Sequence, residues 1–145
     1  MNPKISIILP CYNVAQYVDK CIESLFHQTM QDFEIICIND GSTDSTLNKL
    51  EQWQKKWDKI HIYTFQNQGL SQARNEGITL AKGSYLYFFD PDDYIEPQCL
   101  ETAYSKCEEN QSDAVQFKYR SIIEETQKNG WTLNGNKPAR TYSDS

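Results

Sequence analysis

Apolar positions follow two rhythms along this chain, and the two alternate. Residues 4–10 (KISIILP), 33–38 (FEIICI), 60–65 (IHIYTF), 85–89 (YLYFF) and 114–119 (AVQFKY) are short runs rich in β-branched and aromatic side chains. They predict five strands, the first ended by its proline. The nearly unbroken apolar character of 33–38 predicts burial on both faces, as in a parallel sheet. Between these runs the period changes. Val14, Val18, Cys21, Ile22, Leu25 and Phe26 recur at helical spacing and predict a helix over 14–28. Leu47, Leu50, Trp53 and Trp57 form a second stripe, preceded by N-cap candidates in 41–44 (GSTD). Leu70, Ala73, Gly77, Ile78 and Ala81 mark a third helix, with Gly83 placed like a C′ residue. Pro97 suits the first turn of a fourth helix reaching about Asn110.

Strands alternating with helices imply a mostly parallel open α/β sheet flanked by helices. That unit is expected to occupy residues 1–120. Beyond Ser121 the pattern decays. Asn129-Gly130 could turn a hairpin between 122–125 and 131–133, and the last ten residues read as a frayed polar tail. Open sheets of this kind bind ligands at the carboxyl ends of their strands. Three segments should therefore share one edge: 10–13 (PCYN), 39–42 (NDGS) and 90–93 (DPDD).

Charge and composition narrow the partners. With 14 Lys+Arg against 20 Asp+Glu the net charge is −6, which argues against nucleic acid as the ligand. No apolar run approaches the roughly 18–20 residues of a membrane span, and none resembles a signal-peptide core. A cytoplasmic chain is expected. The five cysteines include no CxxC pair, and three lie in apolar patterns. They read as small reduced hydrophobes, not as a disulfide framework or zinc site.

Asp90, Asp92 and Asp93 place three carboxylates within four residues, an arrangement that repels itself unless a cation sits among them. Hard oxygen ligands suit Mg²⁺ or Mn²⁺; a solvated acidic turn is the plainer reading. An EF-hand does not fit, because Tyr94 and Ile95 fall where that loop needs a ligand and a glycine. Asp40 at a strand end could accept hydrogen bonds from a ribose or base, or simply form a turn with Gly41. Tyr12 and Asn13 could stack on and bond to a base, or Asn13 could cap the helix that follows. Arg74 borders the buried stripe of its helix and could meet a diphosphate in forked geometry, or be a surface arginine. No G-x-G-x-x-G is present, which disfavours a nicotinamide or flavin enzyme. The segment 77–84 (GITLAKGS) has Lys and Gly in the wrong order for a P-loop. His27 and His61 are isolated.

Taken together, SIILPCYN (6–13), EIICINDGSTDST (34–46), NQGLSQARNEGI (67–78) and KGSYLYFFDPDDYI (82–95) resemble the family 2 glycosyltransferases of the GT-A fold, a Rossmann-like α/β fold. The resemblance spans about residues 4–110. It implies transfer of a sugar from a nucleotide-diphosphate sugar, such as a UDP-sugar, to a hydroxyl of a glycan or lipid-linked acceptor in bacterial surface polysaccharide synthesis. It implies that Pro10, Tyr12 and Asn13 line the base pocket, that Asp40 contacts base or ribose, and that Arg74 reaches the base or diphosphate. Asp90-Pro91-Asp92 matches the D-x-D motif, with Asp90 on the ribose and Asp92 holding Mn²⁺ or Mg²⁺. Two departures stand out. Pro91 replaces the common serine. Family members also carry roughly a hundred further residues, with the acceptor site and the general base. On this reading the chain is the donor-binding half of an inverting enzyme, its domain incomplete, its base expected beyond residue 145, and inactive alone. Any membrane association would be peripheral, at the cytoplasmic face. A nucleotide-sugar binding module without turnover is the alternative.

Overall fold

Four strands and four helices alternate in the computed structural model, which describes residues 1–116 and 118–120. The order is β1 (Ile5–Cys11), α1 (Val18–Phe26), β2 (Phe33–Asp40), α2 (Thr46–Lys56), β3 (Ile60–Phe65), α3 (Leu70–Leu80), β4 (Tyr85–Phe88) and α4 (Cys99–Asn110). All pairings among the described residues are parallel, in the order β3-β2-β1-β4. The two central strands are buried along their whole length, which is why their sequences lack polar alternation.

Strand periodicity sorts the core into two layers. Ile5, Ile7, Leu9, Cys11, Ile35 and Cys37 pack with α1 and α2 residues and with Leu100 of α4. Ile36 and Ile38 point the other way, onto Ala73 of α3. Among the described residues α3 alone covers the second face, and it crosses behind β2 and β1 on its way to β4. That crossing carries side chains from the end of β3 toward the end of β4. The cysteines behave as small hydrophobes: Cys11, Cys21, Cys37 and Cys107 are buried, and burial pushes the Cys37 thiol up to about 12.

Proline does not end β1. Pro10 pairs with Ile38, and the β1–β2 ladder runs on to Cys11 opposite Asn39. The reason lies in which neighbour each residue faces. The Ile8 carbonyl accepts from the Phe89 N–H, so Ile8 faces β4, and Pro10, two residues on, faces β4 as well. Its missing N–H therefore costs the β1–β4 ladder, which stops there, and not the β1–β2 ladder.

Three further expectations are corrected. Helix α1 starts at Val18 instead of residue 14 and ends at Phe26 instead of residue 28. Asn13 takes a left-handed φ of 51°, and Val14 opens a separate turn, its carbonyl accepting from Tyr17 and Val18. Gly83 is not a helix cap, since α3 ends at Leu80. Its smallness serves a close approach to β1, where a Cβ would collide with the Ser6 nitrogen. There the Ser6 hydroxyl donates to Glu34 (2.6 Å) and accepts from the Gly83 N–H (2.8 Å), pinning the α3–β4 connection beneath the sheet. Finally, residues 114–116 and 118–120 form no strand. Ala114 and Val115 instead line a groove of about 380 Å³ with Tyr85, Tyr87 and Tyr104. Alternation alone does not make a strand without a neighbour in register. The expected hairpin and polar tail lie outside the described residues.

Candidate functional site

Local chemistry at the strand ends builds the site from three braces. The first joins the ends of β1 and β2. Tyr12 leaves β1 half exposed, at 50%. Asn13 then turns its Oδ1 into the β2–α2 loop, accepting from the Thr43 N–H at 2.8 Å and the Asp44 N–H at 3.3 Å. The Val14 N–H donates to Thr46 Oγ1 at 2.9 Å, and the Ala15 N–H to Asp44 Oδ2 at 3.2 Å. Asn13 is therefore a loop brace and does not cap α1, whose N-cap is Tyr17.

The second brace joins β2 to the start of α3. Asp40 is buried at 3% exposure. Its Oδ1 accepts from the Gln68 N–H at 2.8 Å and its Oδ2 from the Gly69 N–H at 2.9 Å. Gly69 is the N-cap of α3, so the carboxylate sits at the positive end of that helix. Asn67 Nδ2 donates to the Asp40 carbonyl at 3.1 Å. Gly41 makes the fit possible: its φ is +71°, and a Cβ there would stand 2.8 Å from the Asn67 nitrogen. Gly41→Ala is expected to destabilise the fold by roughly 2–4 kcal/mol, combining left-handed strain with overpacking. Urea denaturation measures it; a loss below about 0.5 kcal/mol would show that the loop moves freely.

The third brace joins α3 to the end of β4. Arg74 Nη2 donates to Asp90 Oδ1 at 3.0 Å, with the two side chains 36% and 50% exposed. An ion pair this open is worth about 0.2–1 kcal/mol. Beside it, Ser71, Arg74, Asn75, Ile78 and Phe88 line an open cleft of about 390 Å³. Asp90 begins a tight turn, since its carbonyl accepts from the Asp93 N–H at 3.0 Å. Pro91 is buried within it and suits the second position of such a turn. Asp92 and Asp93 stay exposed. Partial desolvation of its carboxyl, then the neighbouring Asp92 and Asp90, raise Asp93 above its usual range. The turn thus concentrates negative charge that Arg74 offsets on one side.

That charge fits a hard divalent cation. No group of three or more His, Cys, Asp or Glu among the described residues is set to hold one by itself. Mg²⁺ and Mn²⁺ often use one or two carboxylates and complete their shell with substrate phosphates, and a turn with three exposed carboxylates, one of them paired with Arg74, suits that mode. Of the residues singled out in the sequence, Asp40, Arg74, Asp90 and Asp92 sit on linked segments, Tyr12 borders them, and Pro10 lies buried within β1. The segment 67–69 (NQG) enters the sequence reading only as part of the 67–78 motif, with no role of its own. Its part as a partner of Asp40 is not legible there, because its bonds to Asp40 span 28 and 29 residues.

An all-parallel α/β sheet with acidic and cationic side chains gathered at its strand ends defines the class of open-sheet ligand-binding domains. Residues 6–144 match the family described as Glycosyl transferase family 2, and the chain belongs to that family. Its fold is GT-A. It is 42% identical over 123 residues to the poly(ribitol-phosphate) beta-glucosyltransferase of Bacillus spizizenii, covering 82% of this chain and 19% of that one. It is 39% identical over 124 residues to the glycosyltransferase GlyA of Streptococcus pneumoniae, covering 86% of this chain and 18% of the relative. Among solved structures, S. aureus TarS 1-349 in complex with UDP-GlcNAc superimposes with a TM-score of 0.73 at 29% identity, covering 83% of this chain and 37% of that one. The chain thus spans about a fifth of the length of the two curated relatives. No helix among the described residues is long and apolar enough to cross a membrane.

Proposed function

We propose that this chain forms the donor-binding part of an inverting, metal-dependent glycosyltransferase acting at the cytoplasmic face on a UDP-sugar. The observation that carries the reading is the junction of Asp40, Arg74 and the acidic turn through short hydrogen bonds. The solved relative bound to UDP-GlcNAc supports a uridine donor. In this reading Tyr12 stacks on the base beside Pro10 and Asn13, and Asp40 holds the 67–69 loop while a free lone pair meets base or ribose. Arg74 offers donors to the diphosphate, Asp90 accepts from ribose hydroxyls, and Asp92 holds Mn²⁺ or Mg²⁺. The bound cation would stabilise the charge of the departing diphosphate. Proton removal from the acceptor hydroxyl, on a glycan or lipid-linked chain, falls to a base outside the residues of this site.

A panel of UDP, GDP, ADP and CDP tests the pocket by titration calorimetry. UDP is expected to bind at least tenfold tighter than the purine diphosphates, whose bases are larger. Equal affinities would remove the base-pocket assignment and leave a site for diphosphate alone.

A further inference from the structure

Arg74 is incompletely used. Its Nη2 reaches Asp90, but its Nε is buried and has no hydrogen-bond partner among the described residues. A guanidinium bonds most strongly side by side, offering two parallel N–H groups to two oxygens of one anion. Asp90 takes one of them and leaves the other orphaned, and a buried orphan donor is unfavourable. Both side chains are nonetheless partly exposed, so the single Nη2 contact is weak and cheap to open. Asp90 in turn begins a turn that already holds Asp92 and Asp93. Any anion reaching this edge must deal with that negative charge, and Arg74 is the cation placed to meet it.

We propose that the Arg74–Asp90 contact is a self-inhibiting latch that a diphosphate opens. In the free protein Asp90 occupies the guanidinium with one bond. The incoming diphosphate supplies two oxygens, satisfies both Nη2 and Nε, and displaces Asp90, whose carboxylate is thereby released toward the ligand. No covalent bond changes. The latch makes Asp90 a competitor of the ligand for Arg74, and it couples arrival of the diphosphate to freeing of an acceptor two residues from Asp92. It rests on the donor-site reading above, but it is distinguishable from it.

Inorganic pyrophosphate without metal is the probe, titrated into the full chain and its variants with folding checked by circular dichroism. Asp90→Asn is expected to bind pyrophosphate about three- to fivefold tighter than wild type, the factor a weak exposed pair withholds. Asp93→Asn removes the same charge from the same turn without touching Arg74, and its gain should stay below twofold. In an Arg74→Gln background, or Arg74→Lys if that variant folds poorly, the Asp90→Asn gain should vanish while the Asp93→Asn gain persists. An Asp90→Asn gain no larger than that of Asp93→Asn, or one that survives loss of Arg74, overturns the latch. Wild-type UDP binding is measured alongside. If UDP binds and the Asp90-specific gain is absent, the latch fails and the donor site stands. If the gain appears and UDP does not bind, the donor reading fails and the anion latch stands.

Discussion

Asp92→Ala is expected to bind UDP no more tightly with Mn²⁺ than without it, while keeping wild-type stability. Loss of groups that merely orient metal ligands costs about 10–100-fold in affinity, and loss of a direct ligand should reach the upper end. The metal-dependent gain in UDP affinity should therefore fall by roughly 100-fold. Stability should change little. Asp92 is exposed, and its neighbours Asp90 and Asp93 repel it, a repulsion that adds to desolvation in raising the Asp93 carboxyl and is relieved by substitution. Exposed substitutions of this kind usually stay within about 0.5 kcal/mol. The measurement is calorimetry with and without Mn²⁺, beside a urea titration. A variant that unfolds would make Asp92 a structural turn residue. A variant that keeps its metal-dependent gain would move the metal site elsewhere.

The second large effect is an absence of transfer. The polypeptide of residues 1–145 is expected to release UDP from a UDP-sugar only slowly, and at a rate that acceptors do not raise. General-base assistance is typically worth 10²–10⁴-fold, and orienting two substrates supplies roughly 7–11 kcal/mol of a barrier. The chain spans 19% of the length of the Bacillus relative, and the function proposed above draws its acceptor site and base from other residues. Water needs no acceptor site, so slow hydrolysis should persist and should require the divalent cation. Released UDP is assayed with and without glycan acceptors. Acceptor-dependent turnover close to that of a longer family member would place the base within these residues. UDP binding with no hydrolysis at all would favour a binding module without turnover.

How far the sequence reveals this molecule depends on the range of each interaction. The strands at 33–38 and 60–65 and the helix at 70–80 were legible because burial periodicity is local. The effect of proline at position 10 is not legible in the sequence, because it depends on which neighbour the missing N–H faces, and strand order fixes that. The start of α1 differs from the periodicity because Asn13 adopts a left-handed turn and braces a loop 30 residues away. The segment 114–119 alternates like a strand, yet its pairing needs a partner that the alternation does not encode. In the site, the acidic turn and Arg74 were legible as chemistry, being rare residue types directly after apolar strands or beside a buried stripe. Their contact across 16 residues was not, because it depends on α3 crossing behind the sheet. The burial of Asp40 on the Gln68 and Gly69 amides was equally hidden. A carboxylate at a strand end reads the same whether it awaits a ligand or holds a loop.

The donor site itself is tested most directly by the melting temperature of the chain with UDP, with Mn²⁺, and with both. Ligand at 100 times its Kd stabilises a fold by about 2.7 kcal/mol, or roughly 8 °C for a domain of this size. UDP with Mn²⁺ is expected to raise the melting temperature by that order, and by more than the sum of the two added singly, because the acidic turn and the diphosphate share the cation. A folded chain whose melting temperature is unmoved by UDP, with or without Mn²⁺, would contradict the donor-site assignment.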